Sequence, residues 1–159
     1  MTADLKLTWV EDATGADLVV ENGDLALDPG LGSTALASLL TDARADVELH
    51  PDHASDLRGW WGDALDDRGV WGGLFWTLAR EKALPEIQRR AEDYATDALS
   101  WLVDAGIASG VSATAIRIDG YGDGSILGLQ IDLTRPDGGR AQLLYDGVWR
   151  AMEGTYELT

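Results

Sequence analysis

Apolar and polar residues alternate at the start of the chain. Leu5, Leu7 and then Trp9 or Val10 are separated by polar neighbours, and Leu18-Val19-Val20 follows after Glu11-Asp12-Ala13-Thr14-Gly15. A period of two broken by a polar turn predicts a β-hairpin turning between Asp12 and Gly15. Asn22-Gly23 is a second turn signal, after which Leu25 and Leu27 continue the alternation until Asp28-Pro29-Gly30 stops it. Three short strands, or two and an extended arm, are expected before residue 32.

The period then lengthens. Leu36, Leu39, Leu40 and Ala43 share one face of a helix running from Ala35 to Arg44, with Ser33 or Thr34 as its cap. From Asp46 to Asp56 periodicity is lost and polar turn formers gather around Pro51, which reads as a surface loop. Leu74 to Ala79 has enough continuous apolar character for a short helix. Pro85 and Glu86 suit the first turn of a longer one, whose apolar positions Ile87, Ala91, Tyr94, Ala95, Ala98, Leu99, Trp101, Leu102 and Ala105 recur at spacings of three and four. Gly106 followed by Ile107 is the pattern of a left-handed glycine cap.

Beyond Gly106 the period returns to two. Val111 to Asp119, Ile126 to Thr134 and Arg140 to Tyr145 read as a three-stranded antiparallel meander, with turns at Gly120 to Gly124 and Arg135 to Gly139. The expected fold is α+β, a single domain over residues 1–159. It has an N-terminal β-hairpin, two main helices around a tryptophan-rich loop and the C-terminal meander packed on the long helix. The tail from residue 147 keeps Trp149, Met152 and Tyr156, too apolar for a free end, and is expected to dock on the domain or a neighbour.

Arg58 to Lys82 holds Trp60, Trp61, Trp71 and Trp76 of the chain's seven tryptophans. They alternate with Gly59, Gly62, Gly69, Gly72 and Gly73, which deny the stretch a long regular helix. Trp76 and Trp101 sit at helical apolar positions and read as core. Trp60, Trp61 and Trp71 lie among glycines and charges, where rigid indoles either fill the interior or form an interface hot spot. Arg58 and Asp63 either pair across the loop and shape it or touch a partner.

Composition narrows the function. The 28 acidic and 12 basic residues give a formal charge of −16, which repels nucleic acid and anionic membrane. There is no cysteine, hence no disulfide and no thiolate metal site. The opening residues lack the basic and apolar regions of a signal peptide, and no apolar run is long enough to span a bilayer. The chain is therefore expected to be made in the cytoplasm and kept there or built there into something larger.

Chemistry is sparse. His50 and His53, with Glu48 and Asp56 nearby, are metal-ligand types, but Pro51 prevents a helical spacing that would converge them, and no metal or cofactor is expected. Asp119 to Ser125 is a glycine-rich hairpin rather than a calcium loop, because the alternating acids and terminal glutamate are missing. No nucleophile elbow or phosphate cradle is present. Carboxylates abound, and a wall-degrading glycosidase would draw a pair from Glu81, Glu86, Asp63 and Asp67. A third reading is an acidic adaptor that binds a basic partner.

Leu5-x-Leu7-Thr8-Trp9, Gly23-Asp24-Leu25-Ala26, Leu39 to Ala45, Arg58-Gly59-Trp60-Trp61-Gly62-Asp63 and Arg90-Ala91-Glu92-x-Tyr94-Ala95-x-x-Ala98-Leu99-x-Trp101-Leu102 together carry a resemblance. Over nearly its whole length the chain resembles the Mu-like phage tail protein family, small baseplate proteins of contractile-tailed phages and prophages. That family is similar in layout to the lysozyme-like wedge protein of larger contractile tails, though that protein's Glu-Pro-Arg motif has no clear equivalent here. The resemblance implies a non-enzymatic structural protein of the virion baseplate, assembled in the host cytoplasm and present in several copies around the tail axis. Its implied partners are a larger wedge protein, the first sheath subunits and possible hub or tube proteins. On this reading Arg58, Trp60, Trp61, Asp63 and Trp71 face the wedge partner, while Leu143, Tyr145 and Trp149 belong to the side that receives the sheath arms.

Overall fold

In a computed structural model, residues 4–10, 15–28, 30–51, 55–65, 70–78, 85–121 and 124–145 are described. Near the N terminus, three short antiparallel ladders meet at one junction. β1 (Asp4–Leu5) pairs with β6 (Leu27–Asp28), β2 (Leu7–Val10) with β3 (Gly15–Leu18), and β4 (Val20–Glu21) with β5 (Asp24–Leu25). The expected hairpin is β2–β3, but its second strand begins at Gly15, which the pattern assigns to the turn, and ends at Leu18. The second turn is at Asn22 and Gly23, whose φ values of 56° and 83° are the left-handed pair that a tight hairpin requires.

Each strand changes partner at a single residue. The Lys6 amide donates to the Ala26 carbonyl at 2.9 Å, Val19 to Lys6 at 3.0 Å, and Ala26 to Val19 at 2.8 Å, closing a ring of backbone hydrogen bonds. Local alternation foretells the strands but not this exchange, because it records which face a residue occupies and not which strand lies beside it.

Helix α1 spans Gly32–Leu40, beginning earlier than the apolar pattern indicates and ending at Leu40 instead of Arg44, because Thr41 is extended and Ala43 belongs to the chain beyond. The Ser33 hydroxyl is not a cap: it accepts the Leu7 amide at 2.9 Å and so ties the helix to β2. Asp28 serves the helix start instead, accepting the Ser33 and Gly30 amides at 2.7 Å each. Partial burial works against the Asp28 charge, but bonds from the Ser33 and Gly30 amides, the Ser33 hydroxyl and the Gly32 amide outweigh it. They hold the carboxyl below its ordinary pKa of 3.8.

The long helix is divided into α2 (Pro85–Leu99) and the short α3 (Trp101–Asp104), with a turn at Ser100. It ends as its sequence indicates. Gly106 has φ 68°, its amide donates to Val103, and the Ile107 amide reaches back to Leu102. β7 (Gly110–Tyr121), β8 (Gly124–Thr134) and β9 (Arg140–Tyr145) form the expected antiparallel sheet in the order β7-β8-β9. The β7–β8 ladder runs past a bulge as far as Tyr121↔Gly124, so the turn is shorter than the glycine run suggests.

Leu129, Ile131 and Leu133 alternate along the central strand and are buried against Ile87, Ala91, Ala95 and Leu99 of α2 and Leu39 of α1. Phe75 and Leu78, from a 3-10 turn at Phe75–Leu78, complete this core.

Candidate functional site: an aromatic loop and a sheet edge

The tryptophan loop is fixed at its base by the chain that leaves α1. Asp42 and Gly73 form a parallel bridge in which the Gly73 amide donates to Thr41 at 2.9 Å and the Ala43 amide to Gly73 at 3.0 Å. Gly72 makes this approach possible: its φ is 104°, and a Cβ there would run into the Thr41 carbonyl. Trp76 is buried, as expected, and its indole N–H donates to the Ala43 carbonyl at 2.9 Å.

From this base the indoles form a row leading outward. Trp101, partly buried against the core, donates its indole N–H to the Ser38 hydroxyl at 3.1 Å. Its ring centroid is 4.9 Å from Trp71, Trp71 is 6.1 Å from Trp60, and Trp60 is 5.5 Å from Trp61. Gly62 is buried beneath the Trp60 ring, which would collide with any Cβ at that position. The row runs from half-buried rings to Trp61, which is 75% exposed.

Arg58 and Asp63 both shape the loop, through partners other than each other. Arg58 has φ 47°; its guanidinium lies 2.7 Å from Asp42 and 3.5 Å from Asp56, and stacks over Trp76 at 4.8 Å. Asp63 accepts the Trp71 amide at 2.9 Å, joining the two ends of the loop. These bonds orient the 3-10 turn Trp61–Leu65, and the same loop exposes Leu65 at 80% and Val70 at 62%. Sequence reasoning passed over Leu65 and Val70. Their signal was an apolar residue set among acids and glycines without helical or strand periodicity.

The sheet offers a different surface. The Ser109 amide donates to the Thr134 carbonyl and the Ala115 amide turns away from β8, so the even residues of β8 bond to β7 and the odd ones to β9. On β9, Ala141, Leu143 and Tyr145 therefore bond to β8, while the backbone groups of Arg140, Gln142 and Leu144 point to the outer edge. β7 is treated differently: Glu92 of α2 accepts its outward Ala115 amide at 2.9 Å, and α2 packs along that strand. The Leu143 side chain packs inward on the core. Tyr145 pairs with Leu129 as part of β9, and Trp149 lies outside the described residues.

The remaining candidates are scattered. Half-buried His50 meets the Tyr94 ring edge-on at 6.3 Å, and His53 lies outside the described residues. Among the described residues no group of His, Cys, Asp or Glu could hold a metal ion, and no helix is long and apolar enough to cross a membrane. Of the candidate catalytic carboxylates, Asp63 is bound to the Trp71 amide and Glu86 lies exposed in the first turn of α2. Glu81 and Asp67 lie outside the described residues.

Comparison with known proteins gives concordant matches. The chain is 40% identical over 147 residues to the Mu-like prophage FluMu protein gp46 of Haemophilus influenzae, covering 92% of this chain and 98% of that protein. It is 40% identical over 137 residues to the baseplate protein gp46 of Escherichia phage Mu, covering 85% of this chain and 89% of that protein. The model of the family described as phage protein GP46 matches residues 31–140, which include α1, the aromatic loop, the long helix and the meander as far as the first residue of β9. The chain belongs to the GP46 family of Mu-like phage proteins.

Proposed function

We propose that this protein is a structural subunit of a contractile-tail baseplate, joining the inner baseplate to the first sheath ring through protein contacts. Its similarity to the baseplate protein of phage Mu supports the baseplate role. The observation that carries the finer reading is a loop with hydrogen-bonded ends on which the apolar side chains of Trp61, Leu65 and Val70 are exposed. An exposed indole held by a hydrogen-bonded base loses little freedom on binding, which suits an interface anchor for a larger wedge protein. The outer backbone groups of β9 suit addition of a strand from a sheath subunit. Neither surface requires a cofactor or catalysis.

Trp61→Ala tests the wedge contact. The variant should keep its melting temperature and lose co-purification with the larger baseplate protein. Unchanged co-purification would remove the loop from the interface. A turbidity assay on peptidoglycan tests the glycosidase reading, for which clearing abolished by alanine at Glu81, Glu86, Asp63 or Asp67 would be required.

A further inference from the structure

The outer face of the meander changes character along its length. Leu129, Ile131 and Leu133 face the helices, so Gly128, Gln130 and Asp132 belong to the other face of β8. There Asp132 accepts the side-chain amides of Gln130 at 2.9 Å and Gln142 at 2.8 Å, and the partners of Asp132 and Gln130 on β7, Ser112 and Thr114, are exposed. Toward the β7–β8 turn the cover increases. Ile116 is half-buried and its partner Gly128 is buried, although both helices lie on the opposite face. A buried glycine inside a strand marks the close approach of another group.

The register points to the residues that follow β9. Leu129 pairs with Tyr145, so position 146 comes next opposite Gly128, and residues 146–159 start beside the covered glycine. Because Tyr145 bonds to β8, a chain turning back along the outer edge of β9 must close its turn on the next outward residue, Asp146. Gly147-Val148 follows, and glycine at the first position is the signature of a two-residue type II′ turn. Such a turn would pair Asp146 with Trp149 and set Trp149 in one row with Asp146, Gly128 and Ile116. An indole there would lie across the short Asp146 side chain onto the glycine, as aromatic residues do over glycines in sheets. The same register would bring Met152 beside Leu143, on the face that packs inward.

We propose that residues 149–154 return along β9 as a fourth strand, a strap that holds in the free subunit the edge a sheath strand later takes. This rests on the sheath reading above and adds its regulation. A bare β9 edge would invite pairing between copies before assembly. A strand tethered by a two-residue turn holds the edge by proximity, and stays exchangeable for a sheath strand that brings further contacts of its own.

Amide exchange in the isolated full-length chain tests the strap. The Gln142 and Leu144 amides point to the outer edge and should be protected. In Gly147→Val they should exchange about tenfold faster, the scale of one strained non-glycine residue in the turn. The Leu143 amide, bonded to β8, should stay protected in both chains. Free exchange at Gln142 and Leu144 in the parent chain would overturn the proposal, as would their unchanged protection in the variant. The chain has no cysteine, so engineered pairs give a second measure. An Ala141→Cys/Gly154→Cys pair, directly opposed in this register, should form a disulfide under mild oxidation, whereas Ala141→Cys/Thr155→Cys, facing apart, should not. Equal oxidation of the two would contradict the register. On assembled baseplates the oxidised Ala141→Cys/Gly154→Cys chain should block sheath growth, and dithiothreitol should restore it. Sheaths that grow equally well before reduction would show that the strap does not guard the sheath edge. The exchange and oxidation measurements involve no other tail protein, so they stand or fall apart from the sheath reading.

Discussion

The Trp71 amide donates to the Asp63 carboxylate at 2.9 Å, so an acid at the start of the aromatic loop holds its far end. Asp63→Ala leaves that amide without its partner. The expected cost is about 1 kcal/mol, the usual net worth of such a bond or slightly less where water replaces it. Tryptophan emission should shift to longer wavelength as the Trp71 and Trp60 rings loosen, and Asp63→Asn, which keeps an acceptor oxygen, should recover most of both changes.

Trp76 and Trp61 should respond oppositely to replacement. Trp76→Phe removes the indole N–H from the buried Ala43 carbonyl and weakens the stacking of Arg58. An unsatisfied buried acceptor costs about 1–3 kcal/mol, readable by urea titration. Trp61→Ala, at an exposed position, should change stability by no more than about 0.5 kcal/mol. Equal losses would mean that Trp61 is a core residue.

Gly72→Ala should be among the most damaging small substitutions. It combines a φ of 104°, strained for alanine by about 1–3 kcal/mol, with a collision at the Thr41 carbonyl. Thermal melts should show a clear drop. Gly106→Ala, with a positive φ but open space around its Cβ, should lose less.

Asp28 should impose an acid limb on stability. Its carboxyl is held below the ordinary value of 3.8 in the folded chain, so its contribution is complete above that pH and is lost as pH falls through the lower folded value. Asp28→Asn should flatten this limb. Asp28→Ala should also cost about 1 kcal/mol at neutral pH, as for loss of a helix cap. Urea midpoints measured from pH 2 to 6 would separate the two effects.

Proline scanning of β9 should divide by parity. At Leu143 proline removes a hydrogen bond to β8 and should destabilise the isolated protein, by up to about 3 kcal/mol. At Gln142 it removes an outward donor, although its side chain also bonds Asp132. Gln142→Pro should therefore leave more of the fold intact while blocking sheath growth on assembled baseplates. Normal sheaths on particles carrying it would show that β9 is not the receiving strand.

The meander, the long helix and its glycine cap were legible because each rests on local rules: alternation over β8, three-and-four spacing over α2, and Gly106-Ile107 at the end. The loop was legible in content but not in direction. Trp60, Trp61 and Trp71 have similar neighbours in sequence, and what separates them is contact with a distant element: Trp71 meets Trp101 of α3 at 4.9 Å, while Trp61 is left 75% exposed. The helix start was misjudged for a related reason: Ser33 has the chemistry of a cap, but β2 supplies a competing donor in the Leu7 amide. Strand exchange at Lys6, Val19 and Ala26 leaves no local trace, since all three look like ordinary mid-strand residues.

That exchange has a consequence for how the N-terminal strands hold together. In an ordinary hairpin one strand can slide along its neighbour by two residues and keep both its facing pattern and most of its bonds. Here each strand is engaged by both others, and the bonds among Lys6, Val19 and Ala26 set a common origin for all three pairings. Sliding any one strand breaks two ladders at once. The short ladders thereby act as a single registered unit, with an alignment that none of them could enforce alone.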